Sequence, residues 1–111
     1  MLIYDINEII KIIESSGDGI IRIWNFHNGN LLSKIKTING NLYGVCLWNN
    51  NNLFVGCSDN TIRLIDLNKG KIIKNYLGHI DDVVTIKKII HPNYGECLIS
   101  YGGDIILWIK K

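Results

Sequence analysis

The segment Asp18-Gly19-Ile20-Ile21-Arg22-Ile23-Trp24-Asn25 returns, at an offset of 41 residues, as Asp59-Asn60-Thr61-Ile62-Arg63-Leu64-Ile65-Asp66. A third, looser copy reads Gly102-Gly103-Asp104-Ile105-Ile106-Leu107-Trp108-Ile109. A fixed period of this length calls for stacked copies of one supersecondary unit, not a single irregular core. The register extends further. Gly29 matches Gly70, Leu31-Leu32 matches Ile72-Ile73, Leu42 matches Val83 and Val45 matches Ile86. A scaffold of this kind carries its function on loops and rims, so the repeat constrains the fold far more than the partner.

Each copy reads as four short strands separated by turn residues. In the middle copy the strands are Leu42 to Trp48, Leu53 to Cys57, Thr61 to Asp66 and Lys71 to Tyr76. Asn-rich, Ser-Asp-Asn and Asn-Lys-Gly segments punctuate them. The same frame predicts Leu2 to Ile6, Ile10 to Ser15, Ile20 to Trp24 and Leu31 to Ile35 in the first copy. In the last it predicts Val83 to Ile89, Glu96 to Ser100 and Ile105 to Ile109. A helix over Asn7 to Glu14 is the alternative. The β-branched density of Ile9, Ile10, Ile12 and Ile13 argues against it.

Composition sets the outer bounds. The 111 residues suffice for one small domain, and 47% hydrophobic content supports a core over disorder. A net charge of +2 argues against a nucleic-acid-binding field spread over the whole surface. The start, Met1-Leu2-Ile3-Tyr4-Asp5, lacks a basic region and cleavage site, so no secretory signal is expected. Cys46, Cys57 and Cys97 fit no zinc spacing and read as free thiols in a reducing compartment. The expected location is intracellular, cytoplasmic or nuclear. Asn49-Asn50-Asn51-Asn52 falls where a hairpin loop is expected.

Three four-stranded copies, a Trp closing the third strand, and Gly78-His79 ahead of a first strand resemble the WD-repeat β-propeller family. The best stretches are 16–25 and 77–83. The resemblance implies an all-β fold of three antiparallel blades, the last lacking its outer strand. It divides the single partial domain, residues 1–111, into repeats of about 1–37, 38–78 and 79–111. Propeller rings close with about four to eight blades, so three leave open faces. The expectation is the C-terminal part of a longer propeller, or a chain that closes by self-association.

The family's internal device is a hydrogen-bond chain from Asp through His and Ser or Thr to the Trp indole. Its positions here are Asp18 and Trp24 in the first copy, Asp59 in the second, and His79, Ser100 and Trp108 in the third. No copy is complete in the ungapped frame. Ile65 replaces Trp, and Gly102 stands at the third acid's place unless a shortened turn brings in Asp104. Packing, more than polar networks, is therefore expected to hold the blades.

Catalytic chemistry finds little support. His27, His79 and His91 are widely spaced, Asp81-Asp82 does not converge as a strand pair, and no phosphate loop or nucleophile elbow appears. No catalytic residue, metal ligand or cofactor is assigned. Arg22 and Arg63 are expected to lie between blades with their stems packed. Lys87, Lys88, Lys110 and Lys111 are expected to be a solvated strand edge. Tyr43, Trp48, Tyr76 and Tyr101 read either as packing between blades or as exposed aromatic anchors. Tyr43, Ser58, Asp82 and Tyr101 recur at turns and first-strand starts on one rim, where aromatic residues serve as interface anchors. The expected function is a non-catalytic protein-interaction scaffold with protein partners and no membrane contact. The alternatives are a propeller-based enzyme fragment or a subunit of a nucleic-acid-associated assembly.

Overall fold

A computed structural model of the protein describes residues 2–6 and 9–109. Among them are eleven strands and no helix. They are β1 (Leu2–Ile6), β2 (Ile9–Ser15), β3 (Ile20–Asn25), β4 (Leu31–Lys36), β5 (Leu42–Leu47), β6 (Asn52–Cys57), β7 (Ile62–Asp66), β8 (Lys71–Tyr76), β9 (Thr85–His91), β10 (Gly95–Tyr101) and β11 (Ile105–Ile109). They form three antiparallel meanders: β1-β2-β3-β4, β5-β6-β7-β8 and β9-β10-β11. The helical alternative fails, because Ile9–Ser15 is a strand in the first sheet; Asn7 and Glu8 lie outside the described residues.

Alternation decides which residues meet across each junction. In the first sheet Ile13, Ile21, Ile23 and Ile35 share one face and are buried. They pack on Leu53, Val55, Cys57 and Ile65 of the second sheet. The other face of the second sheet gives Cys46, Phe54 and Ile62, which pack on Val83, Ile86 and Leu98. Neither cluster joins the first sheet to the third. Aromatic rings extend the second junction: Trp48 meets Phe54 edge-on at 5.7 Å, Phe54 meets Tyr76 at 5.9 Å, and Tyr76 meets Trp108 at 5.6 Å. Contacts of this geometry add to simple area burial.

The last sheet begins two residues later than the pattern predicts. Val83 donates its amide to Cys57 of the second sheet at 3.2 Å instead of entering the β10 ladder. This approach fixes Gly56. A Cβ there would lie 2.1 Å from the Val83 carbonyl oxygen, so no other residue fits without parting the sheets. Lys88 also departs from expectation. It is no free solvated side chain: its Nζ bonds the Trp48 carbonyl oxygen at 3.0 Å and Glu96 at 2.6 Å, and lies 4.7 Å from the Trp48 ring centre. Lys110 and Lys111 lie outside the described residues.

Candidate functional site

The hairpin turns β2–β3, β6–β7 and β10–β11 gather on one rim with the β4–β5 and β8–β9 connections. Hydrogen bonds between successive sheets tie this rim together. Ser15 Oγ donates to the Tyr43 carbonyl at 2.8 Å, and Leu42 donates to the Ser16 carbonyl at 3.0 Å. Within the second sheet, Asn41 extends the β5–β6 pair to the rim: its amide donates to Ser58 Oγ and its carbonyl accepts from the Ser58 amide, each at 3.0 Å. Tyr43 Oη donates to Asp82 Oδ2 at 3.0 Å.

The first two turns share a clamp. Each has a left-handed residue, Gly19 at φ 74° and Asn60 at φ 67°, directly after its acid. The strand then brings an Arg back over the turn. Arg22 Nη2 reaches Asp18 Oδ2 at 2.7 Å, and Arg63 Nη2 reaches Asp59 Oδ2 at 2.6 Å. Ser16 adds a hydrogen bond to Asp18, and Thr61 one to Asp59. The Arg22 guanidinium, helped by Ser16, holds the Asp18 carboxyl well below the usual carboxylate range. Burial pushes Asp59 up, but the bonds from Thr61 and Arg63 outweigh it and lower this group too. Arg22 and Arg63 therefore bind acids within their own sheets, a correction to the expected position between blades.

The third turn is built differently. Three residues separate the Tyr101–Ile105 pair, against five between Ser15 and Ile21 and five between Gly56 and Ile62. The shortening puts the left-handed position at Gly103 and brings Asp104 to the start of β11. Asp104 Oδ1 then lies 2.8 Å from His79 Nδ1. His79 Nε2 lies 2.6 Å from Ser100 Oγ, and the Trp108 indole donates to the same oxygen at 2.8 Å. The imidazole side chain is only 1% exposed, so both ring nitrogens need these partners. The third sheet's chain is thus complete, with Asp104 brought in by the shortened turn as its acid.

The remaining positions separate. Trp24 pairs with Ile12 on the first-sheet face turned away from the second sheet, and is half-buried outside either core cluster. Asp18 serves the Arg22 clamp. Tyr43 is half-buried and engaged with Asp82, while Tyr101 is exposed at the end of β10. His27 and His91 lie toward the opposite rim, beside Phe26 and Tyr94. Sequence reasoning missed Ser15 and Asn41 as rim connectors, and no motif marks either. It also missed the clamp, whose signal was visible: acid and Arg recur four residues apart in two copies. Burial raises the Cys46 thiol, and pushes that of Cys57 up to about 11. Among the described residues no three of His, Cys, Asp and Glu converge as metal ligands. A groove of about 360 Å³ opens between the second and third sheets, lined by Trp48, Phe54, Tyr76 and Trp108 among others.

Two four-stranded meanders and one three-stranded meander packed face to face, with an Asp–His–Ser–Trp chain inside the last, define propeller blades of the WD-repeat type. The chain carries WD repeats: residues 32–66 match the family model "WD domain, G-beta repeat". The match runs from β4 through β7, so the sequence unit starts on the outer strand of one sheet and ends within the next. The chain is 27% identical over 110 residues to the "U3 small nucleolar RNA-associated protein 21 homolog" of Schizosaccharomyces pombe, covering 97% of this chain and 12% of that protein. It is 30% identical over 95 residues to the "WD repeat domain-containing protein 83 homolog" of Dictyostelium discoideum, covering 85% of this chain and 28% of that protein. Among solved structures, the WD40 repeats of RRP9 superpose with a TM-score of 0.74 at 15% identity, covering 88% of this chain and 30% of that one. The chain thus spans between about an eighth and somewhat over a quarter of the curated relatives.

Proposed function

We propose that the chain is a non-catalytic interaction scaffold whose repeats, about 1–37, 38–78 and 79–111, each supply a blade. A protein partner docks across the rim that carries Tyr43, Ser58, Asp82 and Tyr101. The observation that supports this most is the bonding of Tyr43 to Ser15 of the preceding sheet and to Asp82 before the following one, with Asn41 and Ser58 tied beside it. A surface held this way meets a partner with little ordering cost. Exposed Tyr101 provides an aromatic anchor beside it. The name of the Schizosaccharomyces pombe relative favours a nuclear setting, within an RNA-associated protein assembly. Under this reading the chain binds the assembly's proteins and leaves RNA contact to them, consistent with its small net charge. The test is affinity capture with a Tyr101→Ala/Ser58→Ala variant against the unmodified chain. Partners retained at full level by a normally folded variant would move the docking surface elsewhere. Turnover that vanishes on changing His79 or Asp82 would favour an enzyme instead.

A further inference from the structure

Below the apolar cluster that joins the first and second sheets, at the strand ends opposite the Tyr43 rim, lies a cavity of about 660 Å³ with a mostly polar lining. The first sheet contributes Tyr4 of β1, Lys11 of β2 and Ser33 of β4. All three share the face of Ile13 and Ile23, because Lys11 pairs with Tyr4 and Ser33 pairs with Ile23. The second sheet contributes two turns, with Asn50 and Asn51 between β5 and β6 and Asn68 between β7 and β8.

The turn side is fixed by the asparagine run. Asn49 Oδ1 accepts from the amides of Asn51 at 2.8 Å and Asn52 at 2.9 Å, which closes the β5–β6 turn. Asn51 then bridges to the neighbouring turn. Its Oδ1 accepts from the Asn68 amide at 2.8 Å, and its Nδ2 donates to Asp66 Oδ1 at 3.1 Å. Asn49 and Asn51 thus serve the fold. The polar ends of Tyr4, Lys11, Ser33, Asn50 and Asn68 do not: among the described residues these side chains make no hydrogen bond or ion pair. Lys11 differs here from other cations of the sheets, since Arg22, Arg63 and Lys88 each hold an acid. Among the described residues no carboxylate lines the cavity. Asp66 is turned to Asn51 and to the Lys69 amide, and Asp5 and Glu14 alternate to the other face of the first sheet.

We propose that this cavity binds an acidic peptide segment, with Lys11 holding one side-chain carboxylate and the Asn50 and Asn68 amides meeting the peptide backbone. A half-buried ammonium without a counter-charge favours an anion, and charge-assisted hydrogen bonds are the stronger polar contacts. Lys11 is the one cation in the lining among the described residues, so a single carboxylate neutralises it. A phosphate group would bring a second negative charge into a partly desolvated site. Tyr4 and Ser33 add hydroxyl donors, and burial raises the Tyr4 phenol, which keeps its proton. A carboxamide offers both a donor and an acceptor, as a peptide group does. The cavity falls within the usual size range of ligand pockets. Its turn wall is bonded before any ligand arrives, which lowers the ordering cost of binding. The site uses no residue of the docking rim and stands or falls apart from it.

Amide NMR on the isotope-labelled chain tests this, with a blocked tripeptide carrying a central glutamate as the probe. Matching peptides carry glutamine or phosphoserine, and inorganic phosphate is titrated alongside. The expected result is saturable shifts at Lys11, Ser33, Asn50 and Asn68 with the glutamate peptide. The glutamine peptide should bind at least about ten-fold more weakly. Lys11→Gln should weaken the glutamate peptide by a similar factor. Lys34→Gln, exposed on the opposite face of the same sheet, should leave it unchanged. Equal losses in the two variants would reveal a general charge effect and overturn the site. Tighter binding of the phosphoserine peptide or of phosphate would overturn the carboxylate assignment. Absence of shifts at the four amides would overturn the proposal outright, and that measurement needs no variant. Shifts confined to Tyr43 and Tyr101 would do the same while leaving the docking rim in place.

Discussion

The hydroxyl of Tyr43 on β5 donates to Asp82 in the β8–β9 connection at 3.0 Å. The bond crosses from the second sheet to the third at the rim, where the apolar cluster beneath it ends. Tyr43 is held from the other side as well, because Ser15 of the first sheet bonds its carbonyl. One residue thus touches all three repeats through polar groups. Tyr43→Phe removes the Asp82 bond and the longer one that Tyr43 Oη accepts from Asn41 Nδ2 at 3.4 Å, and should lower stability by about 1 kcal/mol, measured by urea unfolding. A loss comparable to that of a core truncation would mean the ring itself has moved.

Ser100 accepts from the Trp108 indole and bonds His79, so Ser100→Ala should orphan two buried groups. The expected loss is about 1–3 kcal/mol. Ser33→Ala, on the outer strand β4, should cost much less. Similar urea midpoints for the two variants would show that the His79 chain contributes nothing beyond packing.

The two Trp positions should differ although the repeat makes them equivalent. Trp108 packs on Tyr76 and on the second core cluster, and its loss should cost about 3–5 kcal/mol. Trp24 lies on an uncovered face and should cost clearly less. Equal losses would mean that Trp24 is covered as fully as Trp108.

Acid should weaken the Asp59–Arg63 clamp. The folded carboxyl titrates below its unfolded value of about 3.9, so the unfolded chain binds the extra proton first. The stabilisation is complete above that value and is lost as pH falls through the folded pKa. Asp59→Ala should therefore trail the unmodified chain by about 1 kcal/mol or less at neutral pH. The gap should shrink below about pH 4. A gap that stays constant down to pH 2 would show that the carboxylate charge is not what holds the turn.

Cys57 is buried, and its thiol is pushed up to about 11, so neutral solution holds little thiolate. Alkylation by iodoacetamide should be slow in the folded chain and rise steeply across the urea transition. Mass mapping of the labelled peptide reads this out. Rapid labelling without denaturant would place the β6 end outside the core.

Much of the fold was legible because period-2 patterning and turn residues act locally. Lys71 to Tyr76 and Ile105 to Ile109 are strands with the boundaries the pattern predicts. Where neighbours outside the strand decide, the pattern failed. Val83 looks like the start of β9, yet its amide is taken by Cys57 of another sheet. Asp104 was ambiguous because a loop two residues shorter leaves no trace in an ungapped comparison. Asn41 binds Ser58 through its backbone amide and carbonyl, which every residue type carries, and Ser15 gives its hydroxyl to a backbone carbonyl of Tyr43, so no side-chain pairing marks either in the sequence.

The offset between sequence unit and sheet has a genetic consequence. A unit running from β4 through β7 begins in one sheet and ends in the next. Deleting the stretch 25–65 would join β3 directly to β8 by its usual turn, and the outer strand of the first sheet would be replaced in kind. No ladder would be left half-made. Duplication works the same way in reverse. Recombination within the coding sequence can thus add or remove a whole sheet in a single event, at almost any breakpoint, provided the two ends are one period apart.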